Sequence, residues 1–405
     1  MRQLFHYRMW IYKVKIMKNN LLIIMTLVLV SCSHSEHYNP VNTIILGTES
    51  KSVNEKIDSI SVLPFEVDDS WKLISAPLMT KVGDTFIFCT RETCFLLGYK
   101  DNGEKVFSRH IKGRGRGEVL EVNNLYTSGD TVCIYDVAKC EVEMYDKQGN
   151  FCSKIDGPFP AEYLYPLNDC LVGMTAVTLK GSKYVTVFDK EKNVIDNYLT
   201  IPDYLKSQSM KFGQTPMSYC FKDSVRFMMP YDYNIYSVSE DGIESKYCFV
   251  PEKPIPSEIL ETIGADMSAL DRIQLVGPYD DDFQGLFETD RYLYFYYSCN
   301  HVLYDKRMNT IFKTKNPDRN YHRELAADMK NDELWKYVIG SFLPLYAEGN
   351  HLYGRLPRNI YSILNDCRNQ LDPILSSLLT GMEEYYSLYT LQSDDVVIVQ
   401  IDFED

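Results

Sequence analysis

The chain has 405 residues and a formal charge of −14, from 42 Lys and Arg against 56 Asp and Glu. That balance argues against sequence-independent binding to DNA or RNA, which rests on neutralising phosphates, and a hydrophobic content of 45% excludes a mostly disordered chain. Tyr is the unusual component: 31 Tyr and 19 Phe stand against 3 Trp, and such aromatic enrichment favours strands over helices.

Residues 21–30 form one apolar run, LLIIMTLVLV, behind Lys18. The run is far short of the roughly 20 residues that span a bilayer. A short apolar core after a positive start reads as a secretory signal. It ends in Leu29-Val30-Ser31-Cys32, which resembles the lipobox of bacterial lipoprotein signals and implies acylation at Cys32. Met17 is the expected start, with residues 1–16 an extension of no structural role. Loss of residues 1–31 removes Arg2, Arg8, Lys13, Lys15 and Lys18 and no acid, so the mature chain is more acidic still. Anionic lipid heads do not attract such a chain. Acyl chains are the expected anchor, placing the protein at the outer membrane with its periplasmic or surface orientation open.

The remaining chain repeats one plan. In 122–155, Val122–Ser128, Thr131–Asp136, Cys140–Asp146 and Phe151–Ile155 are short β-rich runs separated by Gly129-Asp130, Val137–Lys139 and Lys147–Asn150. Four such runs with tight polar turns make an antiparallel meander. The same layout recurs over 72–111, 162–201, 217–250, 285–314 and 342–402, where HLYGRL, NIYSIL and VVIVQIDF are taken as strands. Three inserts read as helical: 256–276, with apolar positions Ile259, Leu260, Ile263, Met267 and Leu270; 322–339; and roughly 371–382. Four-stranded units cannot bury both faces alone, and packing them around an axis solves this. The expected fold is all-β: a six-bladed β-propeller of four-stranded antiparallel blades, with short helical inserts in the C-terminal half. Ile57–Val67 is expected to complete the last blade beside 396–403. The domain plan is a signal over 1–31, a lipid-anchored linker over 32–56, and one propeller over 57–405.

Gly113-Arg114-Gly115-Arg116-Gly117-Glu118, followed by GDTVCIYDVAKCEVEMYDKQGNF, resembles the six-bladed β-propeller lipoproteins of Bacteroidetes, related in pattern to NHL repeats. Their usual form is GRGPGE; here Arg116 replaces the Pro. The resemblance is specific over about 83–155 and implies a lipidated, exported propeller without implying a reaction.

In such a fold, links between blades and the turns joining second to third strands share one face around the channel mouth. This places Arg114, Arg116 and Glu118, then Arg91, Asp136, Lys139, Lys180, Asp232, His301, Arg355 and Arg358 on one candidate ligand or partner face. Arginine forks suit carboxylate or phosphate; a structural staple between Arg114 and Glu118 is the plainer reading of that pair. The expected partners are the membrane, through the lipid anchor, and a protein, glycan or small-molecule ligand, with no nucleic acid, cofactor or metal. No G-x-S-x-G elbow, Walker A loop or H-E-x-x-H occurs, so a non-enzymatic binding module is preferred. A propeller enzyme of lactonase or lyase type is the alternative. Asp280-Asp281-Asp282 reads as a solvated acidic turn rather than a calcium site. Cys89 with Cys94, and Cys133 with Cys140, flank turns; buried thiols are preferred over disulfides.

Overall fold

A computed structural model describes residues 40–404 except 48–49, 66–76, 92, 159–160, 176–182, 203–216, 264–266, 281–282, 318–328 and 390–395. Two strands come first, β1 (Asn42–Ile45) and β2 (Ile57–Val62). Sheet I follows as β3 (Pro77–Val82), β4 (Thr85–Thr90), β5 (Phe95–Lys100) and β6 (Lys105–His110). Sheet II is β7 (Val122–Ser128), β8 (Thr131–Asp136), β9 (Glu141–Tyr145) and β10 (Phe151–Asp156). Sheet III is β11 (Tyr163–Leu167), β12 (Cys170–Met174), β13 (Lys183–Phe188) and β14 (Val194–Thr200). Sheet IV is β15 (Met217–Phe221), β16 (Ser224–Met228), β17 (Asn234–Ser239) and β18 (Gly242–Val250). Sheet V is β19 (Phe283–Glu288), β20 (Tyr292–Tyr297), β21 (Asn300–Asp305) and β22 (Thr310–Lys315). Sheet VI is β23 (Leu343–Glu348), β24 (His351–Pro357) and β25 (Val396–Phe403), completed by β2.

The four strands named for each sheet pair antiparallel, and the arrangement resembles that of β-propeller structures. The expected partnership of the early strand is present: β2 lies antiparallel to β25, with Ile60 opposite Ile401 and Val62 opposite Val399. Sheets meet mainly through first strands: β3 packs on β7, β7 on β11, β15 on β19, β19 on β23 and β23 on β3, while β11 meets the second strand β16.

All of β4 is buried, while β14 is largely exposed and β6 is half-buried to exposed. Middle strands are covered on both faces by neighbouring sheets, which is why TFIFCT and YLYFYY read as continuous apolar or aromatic runs rather than alternating ones. The core therefore lies between sheets. Phe65, in the chain between β2 and β3, is fully buried and meets the rings of Phe86, Phe88 and Tyr99 at 5.2–5.4 Å. Each such ring contributes about 1.5–3 kcal/mol by burial.

The segment expected as a linker is partly laid on the fold. β1 pairs in parallel with the outer edge of β18, and Lys51 bridges Phe312 on β22. These unpaired outer edges offer backbone groups that the segment can satisfy.

The helices are α1 (Ser257–Thr262), α2 (Ala269–Val276), α3 (Asn331–Ser341), α4 (Arg358–Asp366) and α5 (Pro373–Leu388). Two expectations are corrected. NIYSIL is not a strand; it lies in α4, where Ile360 and Leu364 are buried four residues apart. Its β-rich composition is overridden because helical spacing buries those two residues against the cluster that also holds Leu375 and Leu379 of α5. The helix expected over 256–276 is two short helices. Their different phases leave Leu270 63% exposed rather than inward.

Candidate functional site

The strand directions give the sheets two unlike ends. At one end lie tight turns such as 83–84, 129–130, 168–169, 222–223 and 349–350. At the other lie the links from each fourth strand to the next first strand, and the turns between second and third strands. All five described α-helices are there: α1 and α2 between β18 and β19, α3 between β22 and β23, α4 and α5 between β24 and β25. The sheets thus present their long, helix-bearing connections on one side, the usual place for function in such scaffolds.

The link between β6 and β7 is held by its own residues. Glu118 accepts the Gly115 N–H at 2.7 Å rather than pairing with Arg114. A Cβ on Gly113 would sit 2.0 Å from the Glu118 carboxylate, so any larger residue there would displace that side chain from its bond to Gly115. Lys139 donates to the Glu118 carbonyl at 2.7 Å and to Glu143 at 2.7 Å, and Tyr145 donates to the Gly117 carbonyl at 3.2 Å. Arg114 and Arg116 are left exposed. The Arg116 guanidinium lies 5.3 Å from the Phe151 ring centre, and Arg91 is exposed on the turn between β4 and β5.

Other candidates serve the fold. Asp136 is fully buried and accepts backbone N–H groups of Leu120 at 2.7 Å, Glu121 at 3.3 Å, Ala138 at 3.1 Å and Lys139 at 3.2 Å. It ties the turn after β8 to the preceding link. Asp232 accepts from the Asn234 backbone and amide and from the Tyr236 hydroxyl at 2.7–3.0 Å; burial raises its carboxyl pKa despite those bonds. His301 is not on a turn surface. It lies within β21, only 4% exposed, bonded through Nδ1 to the Tyr294 hydroxyl, and burial pushes its pKa down to about 4. Arg355 is half-buried on β24 and Arg358 begins α4, its guanidinium over the Tyr386 ring. Cys32 and Lys180 lie outside the described residues.

Two residues that sequence reasoning passed over stand at this end. Glu162 precedes β11, receives the Asn123 side-chain amide on its backbone carbonyl, and has a carboxyl oxygen buried without a partner among the described residues. Burial pushes its pKa up to about 7. The hydroxyl of fully buried Tyr184 is likewise unpartnered and feels the Glu162 charge. Below them a polar chain crosses three first strands, from the Asn124 amide to the Tyr165 hydroxyl at 2.5 Å and on to the Ser218 hydroxyl at 2.8 Å. Arg272 on α2 is the second. No motif marks either residue; their environment is tertiary.

A cleft of about 370 Å³ opens beside Asp280, Tyr297, Asn300, Lys313, Lys315 and Lys336. Asp280 is occupied by the Tyr297 hydroxyl at 2.6 Å, the Ser298 hydroxyl at 2.9 Å and the Lys253 N–H at 2.8 Å; residues 281–282 lie outside the described set. Among the described residues no group of three or more His, Cys, Asp or Glu is placed to hold a metal ion, and all the cysteines are free thiols. No described helix is long and apolar enough to cross a membrane.

A family model described as Domain of unknown function (DUF4934) matches residues 41–385. No curated protein matches the sequence. Among solved structures, a Bacteroides fragilis protein assigned as exported superimposes with a TM-score of 0.68 at 18% identity, covering 90% of this chain and 99% of that one. A DUF4221 family member from Bacteroides vulgatus gives 0.45 at 8% identity, covering 86% and 99%. Virginiamycin B lyase from Staphylococcus aureus gives 0.38 at 13% identity, covering 64% and 76%. The first likeness concerns the fold alone, and the other two carry no argument about this chain.

Proposed function

The chain belongs to the DUF4934 family, which is defined without an activity, and we propose that it is an exported, lipid-anchored six-bladed β-propeller that binds a protein partner or extracytoplasmic ligand at its loop-bearing end. One observation carries this reading: all five described α-helices and the connections that carry them are gathered at one end of the sheets, while tight turns join the strands at the other. Selection for stability alone favours short connections, so long ones on a single side point to a working face. Arg91, Arg114 and Arg116 stand exposed there and are the proposed contacts. Lipidation at Cys32 would hold the propeller at the outer membrane.

The test is cross-linked affinity capture of the full lipoprotein from native membranes, comparing wild type with the Arg114→Ala/Arg116→Ala variant at matched folded levels. A partner held by wild type and lost by the variant supports docking through this end. Equal capture by both forms removes these arginines from the reading.

A second reading, an enzyme of propeller lactonase or lyase type, is favoured by Glu162. A carboxyl with a pKa near neutrality beside an unpartnered tyrosine hydroxyl suits acid–base work. Turnover of a lactone panel by wild type and its loss in Glu162→Gln would support it; no turnover by wild type would remove that panel's chemistry.

A further inference from the structure

Helix α2 is short, and its two faces are unlike. Leu270 and Ile273 face solvent, 63% and 50% exposed. Val276 is buried in the cluster that spans sheets II to IV, and Leu275 packs against it. Arg272, three and four residues before this pair, shares the inward face and is only 7% exposed. Among the described residues its side chain has no hydrogen bond or ion pair, and its Nε is wholly shut from solvent. The acid beside it, Asp271, is exposed and accepts the Ser268 hydroxyl at 2.7 Å.

The other buried arginines of the described chain are placed differently. Arg291 grips Asp305 through Nε at 3.2 Å and a terminal nitrogen at 3.0 Å, and Arg226, although its Nε and one terminal nitrogen lack hydrogen-bond partners, has the Glu288 carboxylate 3.3 Å away to balance its charge. Their carboxylates are themselves buried. Burial of a charge is tolerated when it is paired and strongly unfavourable when it is not. A lysine could relieve the cost by losing its proton, but a guanidinium cannot. The cost falls on the Arg272 Nε, which is buried without a partner among the described residues, while its terminal nitrogens are not shut from solvent. That cost is offset if an anion completes the site, because the planar fork matches carboxylate and phosphate groups.

We propose that Arg272 anchors a binding site for a small anionic ligand, one bearing a carboxylate or phosphate group, at the loop-bearing end beside α2. The inference rests on reading that end as the working face, and it names the ligand chemistry there.

The experiment is thermal unfolding of the full chain at constant ionic strength, titrated separately with inorganic phosphate and with sodium acetate, chloride making up the balance. The expected result is a saturable rise in midpoint with at least one anion, and the better arm identifies the group recognised. Arg272→Met should abolish the rise and, without added anion, melt at or above the wild-type midpoint, since it removes an unpaired buried charge while keeping length and apolar stem. Arg272→Lys, which keeps charge but loses the fork, should weaken the apparent affinity at least tenfold. No saturable rise in wild type with either anion overturns the proposal. So does the same rise in Arg272→Met, or an Arg272→Met protein well below wild type in midpoint without anion. Failure here is distinguishable from failure of the binding-face reading: partner capture lost with Arg114 and Arg116 but no anion dependence sinks only the anion site.

Discussion

Replacing Asp305 by Ala removes one carboxylate that two separate parts of the fold depend on. Its Oδ2 receives Arg291, while Oδ1 accepts the backbone N–H groups of Arg307 at 3.0 Å and Met308 at 3.1 Å in the turn after β21. Both side chains are buried, Asp305 completely and Arg291 to 7% exposure. Arg291 also donates to the Glu404 carbonyl at 2.7 Å, just beyond β25, so the pair helps seat the end of the strand that β2 completes. Arg307 and Met308 are exposed, and their N–H groups would regain water. The cost therefore falls almost wholly on the stranded guanidinium, about 3–4 kcal/mol. At the entropy of unfolding expected for a chain this long, that is roughly a 4–5 °C fall in Tm. Asp305→Asn keeps an acceptor for the turn but not the charge, and should fall about half as far. Arg291→Met/Asp305→Leu removes both charges together and should return to within ~1.5 kcal/mol of wild type. Differential scanning calorimetry of the four proteins measures this. An Asp305→Ala Tm within 1 °C of wild type, or a double variant as unstable as the single one, would refute the reasoning.

The remaining predictions concern pH, thiols and the paired terminal strands. The folded-state pKa of Glu162 is raised, so the stability it contributes is full below its unfolded value near 4.3 and is lost as pH rises through about 7; Glu162→Gln should flatten Tm against pH between 5 and 8 and raise it by about 1–3 kcal/mol equivalent at pH 8. Asp402 behaves oppositely: burial opposes its ionisation, but Ser59 at 2.5 Å, Gln400 at 2.6 Å and His351 at 2.5 Å hold its pKa low. That support should be present at neutral pH and lost as pH falls below about 4, a loss absent from Asp402→Asn by pH-dependent melting. In thiol titration Cys152 and Cys299, both exposed, should react at once, whereas Cys89, Cys94 and Cys133, buried and with raised pKa values, should react only on unfolding. A chain beginning at residue 63 lacks β2, leaving the β25 edge and the inner face of α5 uncovered; it should fail to fold by circular dichroism while one beginning at residue 40 folds.

The strands were legible because each is a short β-rich run between turn residues, and because a four-run unit repeats. Even the pairing of Ile57–Val62 with the last sheet follows from counting runs left over in a repeat. NIYSIL was misread for a reason that belongs to the same method: six apolar and polar residues fit either period, and only the neighbours α5 and β24 decide between them. His301 was placed on a turn by position alone, one residue away from where β21 begins. The GRGRGE link was recognisable as special, yet Gly113 and Gly115 lie against Glu118, and Gly117, at positive φ, lies against Phe151.

Local order along the chain thus determined the unit, its turns and the acidic, aromatic character of the protein, since hydrophobic period and turn chemistry act over a few residues. The environment of single charged groups was decided only by tertiary structure. Glu162, Asp305 and Arg272 are ordinary residues in the sequence, and their pKa, pairing or lack of pairing comes from which distant segments exclude water around them. Burial is a property of the packed neighbourhood, and electrostatic cost follows burial rather than residue type.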